Sequence, residues 1–385
     1  MKFLNFDISE YESRWQKCQK EMEKEGIDVL VLSQDTNVIY MTGYRTQLYD
    51  SNFRPFITVL KKGDDPVLIV PNLEEGSGRK ESWFDDVRIW GGNCKYKNAI
   101  EVVKAIFKEK NLDGTSVGME LDNGQRLGML QSEFEELKGA FPGCTFKSCA
   151  SMIWRIRRIK SAQEIAYFQE ACRISDVSFE AVINTVKEGM TEKDIQKIMG
   201  STMMKEGADF KGFIVINSGI ERYDMMSPWA SERVLEKGDM VVLDFGAAYK
   251  GYLSDITRGI FIGSISPRQK ELYEAAQKIN QAAVGAVKPG IPVGDIDRAA
   301  MKKTEELGYA DLVLHRGGHS LGLDVHEIPS IAASDNTRVE PGMCFAIEPA
   351  IYDYSVGAFR IEDNFVVTKD GCTRMTNCTR EIVVL

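Results

Sequence analysis

Apolar and polar residues in the first 150 positions follow two spacings, one typical of helices and one typical of strands. Residues 10–25 repeat their apolar side chains at helical intervals and stop at Gly26, which predicts an amphipathic helix. Short apolar runs bounded by turn residues predict strands. In chain order, the pattern predicts helices over 10–25, 37–44, 98–110 and 124–138 and strands over 27–32, 56–60, 66–70 and 116–119. This alternation of strands and helices predicts a compact α/β domain.

The second half has longer helical patterns separated by hairpin signals. Ser161, with Glu164 three residues later, predicts a capping box at the start of a long helix. Apolar spacing predicts further helices over 192–206 and 268–286. The basic segment 155–160 predicts a hinge strand that precedes the first of these helices. Helices that alternate with hairpins predict an α+β domain.

Length and composition narrow the class of protein. At 385 residues the chain exceeds one ordinary core, so we expect a smaller N-terminal domain over 1–156 and a second domain over 157–385. With 48 Lys and Arg against 57 Asp and Glu, the formal charge of −9 argues against nucleic acid or an anionic membrane as a partner. Acidic residues near the N-terminus argue against a signal peptide, and the lack of a long apolar run argues against a membrane span. Eight cysteines without a CxxC pair fit a reducing compartment, so we expect a cytoplasmic location.

The chain has three histidines, and all of them lie in the segment LHRGGHSLGLDVHEIP. Imidazole suits either proton transfer or metal binding. Two glycines between His315 and His319 oppose a helix, and the apolar alternation over 321–325 predicts a short strand. The histidines are therefore expected on a loop that runs into a strand. A zincin helix is excluded, because no second histidine follows the histidine-glutamate pair at His326.

Four acidic residues flank two predicted hairpin turns. Asp244 and Asp255 are eleven residues apart, on either side of a turn at 250–251. Folding back at that turn is expected to bring them close to directly opposite each other, with both side chains on one face. Glu348 and Glu362, fourteen residues apart, flank a second predicted turn in the same way. Two carboxylates a few ångströms apart repel unless a proton or a cation lies between them.

Four carboxylates and one imidazole have the ligand count of a site for two divalent ions about 3.5–4 Å apart. Ligation mostly by oxygen favours Mn²⁺, with Co²⁺, Zn²⁺ and Fe²⁺ as competitors. Taken singly, each acid could instead be a solvated strand residue or a turn cap. Asp244 and Glu348 argue against that alternative, because each follows an apolar run that is expected to be buried, where an acid needs a partner.

Three segments, LDFGAAYKGYLSDITRG, GGHSLGLDVHE and AIEPAIY with FRIED, follow one another along the second half. In this order they resemble the metallopeptidase family that contains aminopeptidase P, prolidase, methionine aminopeptidase and creatinase-like enzymes. NVIYMTGY and RRIKSAQEIAYFQEAC resemble the N-terminal domain and the linker helix of the aminopeptidase P and prolidase branch. The resemblance implies an α+β catalytic domain of the pita-bread fold, preceded by a smaller creatinase-type α/β domain, and a homodimer.

The resemblance also implies a role for each residue of the cluster. The implied metal ligands are Asp244, Asp255, His319, Glu348 and Glu362, with Asp255 and Glu362 bridging two ions. Creatinase itself has lost such ligands, whereas this chain keeps all five.

Four residues are implied to take part in the chemistry around the metal. Glu348, besides binding metal, would move a proton from water to the leaving nitrogen. His326 would donate to the oxyanion and His315 would line the substrate site. Arg360 would fix a bridging carboxylate. The alternative for His326 is a histidine with a purely structural hydrogen bond.

Two positions depart from the pattern of the family. Ser227 stands where these peptidases usually have a histidine, seventeen residues before Asp244, and Arg316 stands where a small residue is usual. We expect either that Arg316 turns to solvent or that the pocket is reshaped for a ligand carboxylate, with which arginine makes two-point contacts. The residues of that predicted pocket are Ser227, Arg222, Tyr223, Trp229 and Arg316. Both departures weaken the expectation of proline specificity.

The predicted function is a dinuclear metal-dependent hydrolase that cleaves a C–N amide bond, as an Xaa-Pro dipeptidase or aminopeptidase. One alternative is a creatinase-like or ectoine-hydrolase-like enzyme that acts on a small non-peptide amide or a cyclic amidine. The other is a non-catalytic binding module with the pita-bread shape. Five retained ligands argue against the module, because the charges of an empty cage repel one another.

Overall fold

The chain folds into two units, Met1–Arg157 and Arg158–Leu385. The computed structural model describes residues 1–51 and 53–385, apart from the side chains of residues 210 and 211. Each unit has its own sheet structure and its own buried core. The expected class, an α/β unit followed by an α+β unit, is confirmed.

The first unit is built around one mixed sheet. Its helices are α1 (Ile8–Glu25), α2 (Asp35–Thr42), α3 (Glu75–Glu81), α4 (Ala99–Glu109), α5 (Gln131–Ala140) and α6 (Ala150–Arg157). Its strands are β1 (Val29–Leu32), β2 (Ile57–Lys61), β3 (Val67–Pro71), β4 (Asp86–Trp90), β5 (Ser116–Met119) and β6 (Thr145–Ser148). They are ordered β4-β3-β2-β1-β5-β6, with β2 antiparallel to both of its neighbours. The strands β1, β2 and β3 are buried almost throughout, which explains why they appear in the sequence as continuous apolar runs.

Helices α1, α2 and α4 begin and end within two residues of the predicted bounds, whereas α3 and α6 were not predicted. Helix α1 buries Tyr11, Trp15, Cys18 and Met22 on one face and ends at Gly26, whose positive φ of 60° suits a residue without a Cβ. The helix predicted over 124–138 begins later, at the start of α5.

The hinge strand predicted over 155–160 is wrong. Residues 155–157 are the end of helix α6, which buries Ile153 and Ile156 at helical spacing. The guanidinium of Arg157 donates to Oδ1 of Asn37 at 2.9 Å inside the first unit. The apolar face of the helix begins at Ala150, ahead of the basic residues. The segment 155–160 alone is too short to show the helical spacing of these apolar residues.

The second unit contains four helices within the described residues and three sheets. The helices are α7 (Ala162–Ile183), α8 (Glu192–Lys205), α9 (Pro267–Ala286) and α10 (Gly294–Glu306). The strands are β7 (Asp209–Ser218), β8 (Met240–Tyr249), β9 (Tyr252–Leu253), β10 (Ile256–Phe261), β11 (Gly318–Ser320), β12 (Glu327–Ile331), β13 (Cys344–Ile347), β14 (Ala350–Asp353), β15 (Gly357–Arg360), β16 (Asp363–Val367), β17 (Cys372–Arg374) and β18 (Val383–Val384). One sheet has the order β18-β10-β8-β7, with β9 on β8, another has the order β12-β11-β13-β16-β17, and β14 pairs with β15.

Each of the two larger sheets is covered by a pair of helices. Helices α7 and α8 pack against each other and against β7 and β8, whereas α9 and α10 pack against each other and against the strands from β12 to β15. The predicted capping box of Ser161 and Glu164 starts α7, and the predicted helices α8 and α9 are present. Helix α10 was not predicted. Its buried positions Ile296, Ala300 and Thr304 have helical spacing but lie among many charged residues.

Candidate functional site

The first acidic pair lies on the hairpin of β8 and β10. Lys250 and Gly251 have φ angles of 53° and 90°, as the two central residues of a tight hairpin turn require, and Tyr249 pairs with Tyr252 across it. In this register Asp244 lies opposite Thr257.

The two aspartates, predicted to lie close to directly opposite each other, are offset by two residues in the structure. The turn is centred one residue beyond the midpoint between the two aspartates, so Asp255 is displaced toward the turn. An offset of two residues keeps both side chains on the same face of the sheet, because side chains alternate with a period of two.

The second acidic pair lies where two strand ladders meet. Ile347 pairs with Asp363 at the end of the β13–β16 ladder, and Ala350 pairs with Arg360 at the start of the β14–β15 ladder. The two ladders share one register, so Glu348 and Glu362 occupy facing positions in the interval between them. The predicted hairpin is present.

The histidine segment is arranged differently from the prediction. His319 lies on β11, whereas the strand predicted over 321–325 is wrong, because the chain bends through these residues before β12 begins. The carboxylate of Glu327 holds the bend by accepting hydrogen bonds from the backbone N–H groups of Leu323 and Asp324. The apolar alternation arises because the bend places Leu321 and Leu323 in the interior.

Side chains from these three segments converge on one buried cluster. Nε2 of His319 lies 3.4 Å from Oδ2 of Asp255 and 3.5 Å from Oε1 of Glu348. One ligand atom each from Asp255, His319 and Glu362 all lie within 4.8 Å of one another. Asp255, His319, Glu348 and Glu362 are buried, and Asp244 is partly buried.

Arg360 joins Asp244 to the rest of the cluster. Its guanidinium donates to Oδ2 of Asp244 and, at 3.4 Å, to Oε2 of Glu348. It also donates to Oγ1 of Thr257 at 2.8 Å, and the Thr257 hydroxyl donates to Oε2 of Glu362 at 2.6 Å. The expectation that Arg360 fixes a bridging carboxylate thus takes a different form, since it reaches Glu362 mainly through Thr257.

The electrostatic environment disfavours several negative charges in this cluster. Burial, reinforced by the neighbouring carboxylates, raises the pKa values of Asp255 and Glu362 well above their usual range. Burial also raises the pKa of Asp244, while the nearby Arg360 opposes the increase. The ionised cluster therefore needs more positive charge than Arg360 supplies.

Two polar atoms show that the cluster fits a cation. Nδ1 of His319 lies 3.1 Å from the carbonyl oxygen of Ser320 and must donate to it, because a carbonyl only accepts, so in the neutral ring Nε2 presents a lone pair to the carboxylates. Oε1 of Glu362 is buried and has no hydrogen-bond partner among the described residues. Lone pairs that converge in this way repel one another. A divalent cation between them would remove the repulsion, because the same lone pairs would coordinate it.

The two remaining histidines flank the cluster. The ring of His326 packs on that of His319, with centroids 4.2 Å apart, and keeps an exposed face. Burial of its other face, together with the neighbouring His319, lowers the pKa of His326 to about 4, so this imidazole is neutral at neutral pH.

His315 is held by its own hydrogen bonds. Nδ1 lies 2.7 Å from the carbonyl oxygen of Arg316 and must donate to it, so in the neutral ring Nε2 accepts from the Tyr352 hydroxyl, also at 2.7 Å. Neither Tyr352 nor Thr257 was predicted as a site residue from the sequence. A signal for Thr257 existed, because it follows Asp255 by two residues on a strand and so shares its face.

The predicted substrate pocket is not assembled as expected. Tyr223 is a core residue, only 3% exposed, and its hydroxyl accepts from the backbone N–H of Met240, so the prediction that it lines a pocket is wrong. Nε of Arg222 lies 3.2 Å from Oε1 of the buried Glu192, so the charge of this arginine is already paired. Ser227 and Trp229 are exposed on the segment that follows β7, and Nε of Arg316 donates to the carbonyl oxygen of Gly318.

Comparison with known sequences gives one consistent result for both units. Residues 166–369 match metallopeptidase family M24, and residues 14–159 match the creatinase/prolidase N-terminal domain. The Xaa-Pro dipeptidase of Pyrococcus furiosus is 32% identical over 96% of this chain and 99% of its own length. The putative dipeptidase YkvY of Bacillus subtilis is 30% identical over 97% of this chain and 100% of its own length.

Solved structures agree with the sequence matches. The prolidase of Pyrococcus horikoshii superposes with a TM-score of 0.83 at 32% identity and covers 96% of this chain and 100% of its own. The recombinant prolidase of Thermococcus sibiricus gives a TM-score of 0.87 at 29% identity, over 99% of this chain and 100% of its own.

Within the described residues, no helix combines the length and the apolar character needed to cross a membrane.

Proposed function

This chain belongs to metallopeptidase family M24, and we propose that it hydrolyses Xaa-Pro dipeptides with two divalent cations held by Asp244, Asp255, His319, Glu348 and Glu362. Family membership makes it a metal-dependent hydrolase with the pita-bread fold, as the sequence predicts. The observation that carries the proposal is the buried convergence of Asp255, His319 and Glu362, within 4.8 Å of one another.

The donor set supports the assignment of ligands. Asp255 and Glu362 each offer two carboxylate oxygens, so either could contribute an oxygen to each of two cations held in the cluster. His319 contributes the only nitrogen, with its ring oriented by the carbonyl oxygen of Ser320. A set dominated by oxygen favours Mn²⁺, with Co²⁺, Zn²⁺ and Fe²⁺ as competitors. When bound, such cations supply Lewis acidity toward a carbonyl oxygen and lower the pKa of water toward neutrality.

Glu348 is assigned the proton transfer. Its Oε2 accepts from Arg360 while its Oε1 faces His319, so the side chain has a fixed orientation at the centre of the cluster. From there it takes a proton from the attacking water and delivers it to the nitrogen that leaves.

His326 is assigned to the developing negative charge on the scissile carbonyl oxygen. A neutral imidazole can donate an N–H to that oxygen without first losing or gaining a proton, and the lowered pKa of His326 keeps it neutral. His315 lines the substrate site, where Tyr352 fixes its ring. Arg360 orients Asp244 and Glu348 directly and Glu362 through Thr257.

The names of the relatives support proline in the second position of the substrate. Xaa-Pro dipeptidases match this chain over nearly its full length, in P. furiosus and also in P. horikoshii at 33% identity. Ser227, exposed where the family resemblance expects a histidine, is the feature of this chain that favours the second candidate, a small non-peptide amide.

A substrate screen tests the proposal. The purified protein is stripped of metal, reloaded with Mn²⁺ and assayed on Xaa-Pro dipeptides, on the reversed Pro-Xaa dipeptides, and on small N-acyl and cyclic amides. We expect turnover of the Xaa-Pro series well above that of the reversed series. Background rates on every Xaa-Pro dipeptide together with cleavage of a small amide would replace the proposal with the second candidate.

Location and assembly are further parts of the proposal. All eight cysteines are free thiols, which supports a reducing compartment such as the cytoplasm. The family resemblance supports a homodimer. Light scattering is expected to give about twice the chain mass of 43.2 kDa, and a mass equal to one chain would contradict the dimer.

A further inference from the structure

The two glutamates of the cluster lie in an interruption of their hairpin. The ladder of β13 and β16 ends at the pair Ile347 and Asp363, and the ladder of β14 and β15 begins at Ala350 and Arg360. Pro349, in the interval between them, has no N–H to donate to the opposite strand.

Other segments take up the backbone N–H groups of both glutamates. The N–H of Glu348 donates to the carbonyl oxygen of Gly317 at 2.9 Å, and the N–H of Glu362 donates to the carbonyl oxygen of Thr257 at 3.2 Å. These bonds tie each glutamate to a neighbouring segment, but they do not tie the two glutamate backbones to each other.

One buried amide makes that connection. Nδ2 of Asn280, on helix α9, donates to the carbonyl oxygen of Ile347 at 3.0 Å and to the carbonyl oxygen of Ile361 at 2.8 Å. These two carbonyls immediately precede Glu348 and Glu362 in the chain. A single nitrogen atom of Asn280 thus links the two strands directly beside Glu348 and Glu362.

We propose that Asn280 is a positioning residue that fixes the separation of the Glu348 and Glu362 backbones and thereby the geometry of the metal-binding carboxylates. This inference rests on the proposed function, because it requires that the cluster binds metal. Asn280 touches neither substrate nor metal and acts only through the two carbonyl groups.

The surroundings of Asn280 support a specific role over simple packing. The side chain is only 1% exposed, and its helix neighbours Ala276, Ile279 and Ala283 belong to the apolar core. Its Oδ1 is buried without a hydrogen-bond partner among the described residues, which is unfavourable. An apolar residue would avoid that cost, but it would leave the two carbonyls without their donor.

Gln269, on the same helix, offers a matched control. Its Nε2 also bridges two backbone carbonyls, those of Gly238 and Val356, at 3.2 and 3.1 Å. Val356 lies at the tip of the same hairpin, away from the two glutamates. Gln269→Leu therefore removes a comparable amide bridge without releasing the backbone next to either glutamate.

The test compares Mn²⁺ binding by calorimetry in wild-type, Asn280→Leu and Gln269→Leu proteins, together with kcat and KM on the substrate of the wild-type enzyme. Changes around metal ligands typically lower metal affinity or activity about 10- to 100-fold, and we expect a loss of that size in Mn²⁺ affinity for Asn280→Leu. We also expect a fall in kcat with little change in KM. Gln269→Leu is expected to lower thermal stability while it leaves Mn²⁺ affinity unchanged.

A milder variant keeps the inference testable if Asn280→Leu does not fold. Asn280→Ser keeps one hydroxyl donor, so its Mn²⁺ affinity is expected to lie between those of the wild type and the leucine variant. Wild-type affinity in Asn280→Ser and in any folded Asn280→Leu, or equal losses in the Asn280 and Gln269 variants, would overturn the inference. Failure of the wild-type protein to bind Mn²⁺ would instead overturn the proposed function.

Discussion

At the scale of single residues, the chemistry of the cluster follows from burial of groups that are normally exposed. Asp244 and Glu348 each end an apolar run, and this combination identified them from the sequence. Tyr352 could not be predicted, because a tyrosine in a strand is ordinary and only the fold shows that its hydroxyl binds His315. The spacing of Thr257 from Asp255 indicated a shared strand face, but its hydrogen bond to Glu362 also depends on the fold. Charged residues that are costly to bury could therefore be predicted, whereas the hydrogen bonds of their uncharged partners could not.

The role of Glu348 predicts a separation of metal binding from catalysis. Glu348→Gln keeps one oxygen and the size of the side chain, so the protein should still fold and bind most of its metal. Activity is expected to fall at least about 100-fold, since the variant loses the proton carrier. Steady-state kinetics and metal content measured on the same preparation check this, and full activity in Glu348→Gln would remove the residue from the mechanism.

The neutral state of His326 leads to a second prediction at this scale. Because the pKa of His326 is about 4, this group does not change charge between pH 5 and 9. His326→Ala should lower kcat about 100- to 1,000-fold, and His326→Asn, which keeps an N–H donor, should lower it less. Neither variant should move the inflections of the pH–rate profile above pH 5. An inflection that disappears in His326→Asn would contradict the assignment.

At the scale of elements, turn chemistry decided how well the site could be predicted. Lys250 and Gly251 form the predicted turn and fix the register that places Asp244 opposite Thr257. The turn lies one residue past the midpoint between the two aspartates, so Asp255 is displaced by two residues from the position opposite Asp244. The bend after His319 was mistaken for a strand, because its alternating apolar residues face the interior of a turn held by Glu327. Side-chain hydrogen bonds of this kind leave no periodic signal in the sequence.

A buried ion pair supports that bend. Nζ of Lys160 lies 2.9 Å from Oε2 of Glu327, and both side chains are at most 2% exposed. Removing one partner of a buried pair typically costs about 3–5 kcal/mol, because the other charge stays buried without its partner. We therefore expect Lys160→Met to lower the free energy of unfolding by about that amount in urea denaturation.

The comparison requires a double variant and a surface control. Lys160→Met with Glu327→Gln should recover part of the loss, because the uncompensated charge is gone. Lys303→Met breaks a pair with Glu306 in which both side chains are more than one-third exposed, and it should change stability by less than about 1 kcal/mol. Equal effects of Lys160→Met and Lys303→Met would show that the buried pair does not hold the bend.

At the scale of the whole molecule, the family and the two-unit architecture were the most predictable features, because they depend on many positions at once. Three ordered segments that carry the five ligands are spread over more than a hundred residues, and errors in single elements leave them intact. Helices α6 and α10 were both missed without any effect on that conclusion. Corrections to the predicted pocket, at Arg222 and Tyr223, likewise concern local packing that depends on the folded chain.

Stability of the whole chain should depend on pH and metal together. Asp255 and Glu362 have raised pKa values, so without metal the folded state binds their protons more tightly than the unfolded state does. Their contribution to the free energy of unfolding is therefore fully present below their ordinary pKa values of 3.8 and 4.5. It is lost as the pH rises from there through their raised pKa values in the folded protein. Metal binds the ionised groups, so the increase in Tm on adding Mn²⁺ should grow as pH rises over the same interval.

Calorimetric melting of metal-free and metal-loaded protein between pH 5 and 8 measures this dependence. Glu362→Gln, which cannot ionise, provides the control and should show a smaller effect of pH on the shift caused by Mn²⁺. A metal-induced shift in Tm that is the same at every pH, in both proteins, would contradict the linkage between these carboxyl groups and the metal.

The central claim is that carboxylates from separate hairpins converge on His319 to hold divalent cations, and the number of ions bound per chain tests it most directly. Equilibrium dialysis against Mn²⁺ followed by elemental analysis should give two ions per chain for the wild-type protein and fewer than two for Asp255→Asn and Glu362→Gln. A wild-type protein that retains no stoichiometric metal, or variants that bind as many ions as the wild type, would contradict the account.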